Sequence, residues 1–140
     1  MRQLDVAQLQ YPILSFDADA KEMVYTHLKP LTKTSIEILD SGALDNLRFI
    51  DSNGIKYRTV VVKNLGWSNW FGGYSLLVKG RGIKIQTIVE EIGSVDFDSF
   101  KRFVEERSLY NPLIDSLDVE EFVQDIRESQ SYEEVIRLVH

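Results

Sequence analysis

Carboxylates are the side chains best able to do chemistry in this sequence, because imidazoles are few and thiols are absent. The 140 residues include 22 Asp and Glu, 2 His and no Cys. Without cysteine the chain has no thiol nucleophile and no thiolate metal ligand. His140 is the last residue, and His27 lies in a strand-like run beside Tyr25 with no catalytic motif around it. A lone histidine in such a run is more often a packing residue than a general base.

Pairs of adjacent glutamates recur beyond residue 89. Adjacent residues of a helix point about 100° apart, so such a pair does not form the two-carboxylate site of an acid–base catalyst. Their collective charge can instead attract a basic partner, and the alternative is an ordinary solvated helix surface. The pairs are Glu90-Glu91, Glu105-Glu106, Glu120-Glu121 and Glu133-Glu134. The candidate partner-binding residues are Glu105, Glu106, Glu120 and Glu121.

Motifs for metals, phosphates and acyl transfer do not match. Asp17-Ala-Asp19 is similar to the start of a calcium loop, but the glycine at loop position 6 and the glutamate at position 12 are lacking. The glycines at 72–73 and 80–82 fit neither a phosphate loop nor a dinucleotide fingerprint, and no Gly-x-Ser-x-Gly occurs. We therefore expect no catalytic residue, no metal and no cofactor. An enzyme with a carboxylate-based site is an alternative without positive evidence.

Charge divides the chain into a basic and an acidic part. Residues 1–89 hold 11 basic and 8 acidic side chains, net +3, whereas residues 90–140 hold 5 basic and 14 acidic ones, net −9. From 52 to 89 there is no Asp or Glu. This basic stretch, with its two tryptophans, suits a single-stranded nucleic acid or another planar anion. That alternative surface comprises Lys56, Arg58, Trp67, Trp70 and Lys84. We favour the other arrangement, in which the tryptophans fold inward and close the end of a sheet.

The elements that must position these residues are strands followed by helices. Apolar runs at 9–16 and 23–28 predict two strands. Thr34 to Gly42 predicts a short helix with a capping box from Thr34 to Glu37, and the alternative is a strand, because residues 35–38 also alternate with period 2. Two further hairpins follow, at 47–62 and 74–89. The whole chain, residues 1–140, is expected to form one α+β domain. It has an antiparallel sheet of about five to six strands, on which two or three C-terminal helices pack.

Two local predictions can be checked directly. Asn53-Gly54 predicts a two-residue hairpin turn with positive φ at both positions. In the tail, apolar residues at helical spacing predict helices, with Phe122 and Ile126 in the core. Whether the last two helical segments form one helix or two is left open.

Asp5, Gln8 and Gln10 interrupt the apolar residues near the start of the sequence, so we expect no signal peptide there. No stretch approaches the roughly 20 apolar residues of a membrane span. We expect a cytoplasmic protein that does not bind membranes. In size, charge and layout the chain resembles the bacterial immunity proteins that neutralise toxins. This resemblance implies a protein partner and assigns no residue. We expect a non-catalytic interaction protein whose acidic C-terminal helical surface binds a basic protein, with nucleic acid as the alternative partner and self-association left open.

Overall fold

The structure is a computed structural model that describes residues 2–18, 24–67, 82–108 and 116–139. The expected α+β class is confirmed, with an antiparallel sheet and helices that lie mostly after it in the chain. Short 3-10 turns cover Val6–Gln8 and Ala43–Asn46. The strands are β1 (Gln3–Asp5), β2 (Ile13–Asp17), β3 (Tyr25–His27), β4 (Lys33–Ser35), β5 (Leu47–Ile50), β6 (Ile55–Trp67) and β7 (Gly82–Ser94). The helices are α1 (Ile36–Ser41), α2 (Phe97–Ser108), α3 (Ser116–Glu128) and α4 (Tyr132–Leu138).

The strand order in the sheet is β1-β7-β6-β5-β2-β3, and every pairing is antiparallel. Strand β4 also pairs with β7, at residues 82–84, further along the edge that β1 occupies at residues 88–90. Among the described residues the sheet has seven strands, against the five or six expected, and β1 and β4 were not predicted because three residues are too few to show an alternating pattern. The predicted strand at 74–79 and residues 80–81 of its turn lie outside the described residues. Strand β7, which contains the predicted strand at 83–89, pairs with β6.

The sheet has a core on each of its two faces. Consecutive residues of β2 are therefore both buried, although their side chains point to opposite faces. Ile13 is 1% exposed and its neighbour Leu14 is 0% exposed. One face packs against the C-terminal helices, and the other packs against the 3-10 turn at Val6–Gln8 and the residues next to it. The helix-covered side includes Leu14, Phe16, Ile50, Phe100, Val104, Ile126, Val135 and Ile136. The opposite side includes Val6, Leu9, Ile13, Phe49, Tyr57 and Val89.

The turn between β5 and β6 differs from the two-residue prediction. Only Gly54 has positive φ, at 77°, and Asn53 does not. The Gly54 N–H donates to the Asp51 carbonyl at 3.0 Å, and the Asp51 N–H donates to the Ile55 carbonyl at 3.1 Å. The loop is therefore three residues long, with glycine in the left-handed position that such loops require. The buried Asp51 carboxylate accepts from the Asn53 and Ile55 amides, which stabilises this longer turn.

The C-terminal segments form separate helices α3 and α4. Ser131 caps the N-terminus of α4, because its hydroxyl accepts from the Glu134 amide at 3.2 Å. Ile126 is fully buried as predicted, whereas Phe122 is only half-buried at the margin of the same core. The short helix predicted from Thr34 is present as α1, but it begins at Ile36, and Thr34 belongs to β4.

Candidate functional site: the acidic surface of α3 and α4

The contacts between helices α2 and α3 include an ion pair that occupies one of the acidic side chains. Arg127 Nε donates to Glu105 Oε1 at 3.1 Å, and Lys101 Nζ donates to the Arg127 carbonyl at 2.9 Å. The Glu105 side chain is 18% exposed, so this predicted partner-binding residue is largely occupied in holding α3 beside α2. Its neighbour Glu106 is exposed.

An acidic row runs along the solvent side of α3. Glu121, Asp125 and Glu128 are spaced by four and three residues, which places them on one stripe of a helix. All three are exposed. Glu120 is also exposed but lies about 100° around the helix from Glu121. Of the four glutamates proposed from the sequence, Glu121 is the one that belongs to this row.

The row borders a shallow groove between α3 and α4 with a volume of about 410 Å³. The Ser129 hydroxyl donates to the Asp125 carbonyl at 2.8 Å, and the Gln130 amide donates to Glu134 Oε2 at 2.8 Å. These bonds hold the connection between the helices and bring Glu134 to the same groove. Its walls are Asp125, Glu128, Ser129, Glu134, Arg137 and Leu138. We call Glu121 together with Asp125, Glu128 and Glu134 the acidic groove.

The cation in the wall of the groove is already paired. Arg137 lies one turn beyond Glu133 on α4, and its Nη2 is 2.9 Å from Glu133 Oε1. Arg127, the basic residue of the last turn of α3, is likewise bound to Glu105. The Arg137–Glu133 pair is exposed on both sides and contributes little to stability. The two pairs nevertheless leave the carboxylates of the groove without neutralisation by these two arginines.

Sequence reasoning missed Asp125, Glu128 and Glu134 as members of one surface. The spacing of Glu121, Asp125 and Glu128 was a usable signal, because residues four and three apart share a helix face. Pairs of adjacent glutamates are conspicuous in a sequence, but their members point in different directions. The addition of Glu134 depends on how α4 folds back on α3, which no local pattern gives.

The residues of the alternative basic surface are spread along the β6–β7 ribbon. Lys56 is half-buried near one end, and Arg58 is exposed and ion-paired with Glu90 across the strands. Lys84 is exposed at the other end, six residues from Glu90, which corresponds to roughly 20 Å along a strand. Trp67 is the last residue of β6, nothing is described of its side chain, and Trp70 lies outside the described residues.

His27 lies on the sheet face opposite the helices. Its Nε2 is 2.7 Å from Ser15 Oγ, and burial lowers the pKa of the imidazole. Ser15 is 2% exposed within β2, so this pair is a packed polar contact rather than an accessible nucleophile. Within the described ranges, no group of three or more His, Asp or Glu side chains could hold a metal ion.

Comparison with known proteins gives no match to a protein-family model, a curated protein or a solved structure. None of the helices in the described part of the chain is both long and apolar enough to span a bilayer. Function is therefore inferred from the chemistry of the surface itself.

Proposed function

We propose that this is a non-catalytic interaction protein that presents the acidic groove of α3 and α4 to a basic protein partner. The observation that carries the proposal is that Asp125, Glu128 and Glu134 line one groove, whose arginine is bound to Glu133, and that Glu121 continues the row one helical turn before Asp125. Such a surface raises the local concentration of cationic partners and guides their approach. Immunity proteins, which this chain resembles in size, charge and layout, also act by binding a protein.

The groove can pack against the apolar stem of a basic side chain as well as attract its charge. Leu138 forms part of its wall, so the methylene stem of a lysine or arginine can pack there while the head group meets the carboxylates. Asp125 and Glu121 have exposed carboxylates at the centre and one end of the row. A helical or extended segment with Lys or Arg spaced to match the row is the kind of partner surface that fits.

A defined cationic peptide tests this proposal. We expect a helical Lys/Ala peptide, with lysines four and three residues apart, to bind the protein, whereas the same peptide with Gln for Lys should not. The double variant Glu121→Lys/Asp125→Lys should weaken binding by about tenfold, since each exposed pair contributes up to about 1 kcal/mol and reversal replaces attraction by repulsion.

Asp40→Lys/Asp45→Lys is the matched control, because both aspartates are exposed, lie near α1 and change the net charge by the same amount. Its affinity should stay within about twofold of the parent, as charges beyond roughly 10 Å are screened at 0.1 M salt. Equal weakening by the two double variants would show that only net charge matters and would overturn the assignment to the groove.

A nucleic acid is the second candidate partner, and cross-strand charges favour it. Arg48 lies opposite Arg58, and Lys33 lies opposite Lys84 in the sheet. Like charges in directly opposed positions destabilise a sheet, and a bound polyanion relieves that repulsion. Binding of a mixed single-stranded oligonucleotide pool that is lost in Arg58→Glu/Lys84→Glu, and kept in Glu121→Lys/Asp125→Lys, would support this function over the first.

A further inference from the structure

A short segment crosses the sheet face that the helices leave open. Strands β3 and β4 lie at opposite edges of the sheet, yet only residues 28–32 connect them. In a flat sheet the five intervening strand spacings amount to roughly 24 Å, whereas this link reaches roughly 20 Å when fully extended. The sheet must therefore be curved, and the link passes over its concave face. We call residues 28–32 the strap.

The strap is held loosely in comparison with the strands. Its residues Leu28, Lys29, Leu31 and Thr32 are exposed, and Leu28 is 60% exposed. The Ile85 amide donates to the Thr32 carbonyl at 2.9 Å, which fixes one end to β7. Segments with exposed backbone and little buried apolar surface open at low free energy.

Beneath the strap lies a largely enclosed cavity of about 20 Å³, and beside it an open depression of about 230 Å³. Both are bordered by Val6, Thr87 and Leu31. Val6 and Thr87 are buried, whereas Leu31 is 37% exposed, so the Leu31 side chain is the part of this shared wall that can move. If it swings outward, the cavity and the depression become one pocket on the concave face.

The walls of the enclosed cavity are apolar, with three polar side chains and no Asp, Glu, Lys or Arg. The Tyr11 hydroxyl donates to the Val6 carbonyl at 2.9 Å, and His27 is bonded to Ser15. Burial lowers the pKa of His27, so the imidazole is neutral at pH 7. Thr87 is the third polar side chain. The depression adds one carboxylate, Asp5, which already accepts from the Ala7 amide and from Gln86 Nε2. A charged guest inside the enclosed cavity would lose its hydration without an opposite charge in the cavity walls, whereas an uncharged one would not.

We propose that the concave face beneath the strap binds a small, uncharged, mainly apolar molecule with one hydroxyl or comparable polar group, which takes the place of the Leu31 side chain. Apolar walls with a few convergent polar groups are the usual composition of small-molecule sites. The site lies on the sheet face opposite the acidic groove, and it is independent of the proposed protein partner.

Benzyl alcohol is the probe, and benzoate and benzylamine are its charged counterparts of similar size. Titration followed by NMR should give saturable shifts for the His27 ring protons and the Ile13 and Leu31 methyl groups with benzyl alcohol only. Leu31→Ala should bind it about threefold or more tightly, because the side chain no longer competes for the space. Leu28→Ala makes the same chemical change on the strap at a position outside both cavity walls, and should leave affinity unchanged.

Absence of saturable shifts with benzyl alcohol in both the parent and Leu31→Ala would overturn the proposal. So would equal binding of benzoate or benzylamine, or shifts confined to residues away from the concave face. Because each variant removes only a partly or largely exposed leucine, we expect both to fold. Circular dichroism of both variants checks this before the titrations.

Discussion

The contact between Gly54 and Tyr132 gives the sharpest prediction about stability, because it joins the β5–β6 turn to helix α4. Gly54 has φ of 77°, and a Cβ atom added there would lie 2.5 Å from Tyr132 Cζ. The Tyr132 hydroxyl donates to the Val95 carbonyl at 2.6 Å, and its ring lies 5.1 Å from that of Phe97 and 5.2 Å from that of Phe100. Gly54→Ala must therefore either displace the ring or move the turn.

The loss of stability has two parts. Left-handed backbone at a residue with a Cβ costs about 1 kcal/mol. Displacing Tyr132 gives up a hydrogen bond contributing about 1 kcal/mol and two ring contacts contributing about 0.5–1.5 kcal/mol each. We expect Gly54→Ala to lower the free energy of unfolding by about 3–5 kcal/mol, which corresponds to a fall of about 1.5–2.5 M in the urea midpoint.

Gly66→Ala provides the control for the backbone part. Gly66 also has positive φ, at 100°, but nothing lies within 4 Å of the added Cβ position. Gly66→Ala should lower the free energy of unfolding by about 1 kcal/mol. In a Tyr132→Leu background, Gly54→Ala should lower it by the same amount. Equal urea midpoints for Gly54→Ala and Gly66→Ala in the parent would refute the steric argument.

Three other expectations concern the core and the buried titratable groups. Ile126→Ala should lower the free energy of unfolding by about 2–5 kcal/mol and Phe122→Ala by less, because only Ile126 is fully buried; equal urea midpoints would contradict this. Because burial lowers the pKa of His27, the unfolded chain binds a proton that the native state lacks, so stability should fall as pH drops below about 6.5, and His27→Gln should remove part of that fall. Burial raises the pKa of Tyr11 and Tyr57 to about 12, so absorbance at 295 nm should show a late-titrating fraction of the six tyrosines, and a single transition near 10 would contradict it.

The elements with strong periodicity were predictable from the sequence. Phe100 and Ile126 stand in apolar stripes at helical spacing, and both are fully buried in the helix-covered core. The turn at residues 52–54 was found, but its length was wrong, because Asn-Gly also fits a three-residue loop when Asp51 can accept two backbone amides. Hydrogen bonds from a buried aspartate are a tertiary feature that a turn dipeptide does not encode.

The site was less predictable than the fold. The sequence named Glu121, which lies in the exposed row of α3, and also Glu105, which binds Arg127, since the sequence does not reveal which helix faces which. The pairing of β4 with β7 and the curvature it imposes were also hidden, because they arise from a link of five residues rather than from a pattern in β4.

The association rate of the Lys/Ala peptide, measured by stopped flow at 0.02, 0.1 and 0.5 M salt, tests the role of the acidic groove most directly. Electrostatic steering makes this rate fall as salt is added. We predict a steep fall for the parent and for Asp40→Lys/Asp45→Lys, and a slow, nearly salt-independent rate for Glu121→Lys/Asp125→Lys. Equal rates and equal salt dependence in the two double variants would contradict a binding role for the acidic groove.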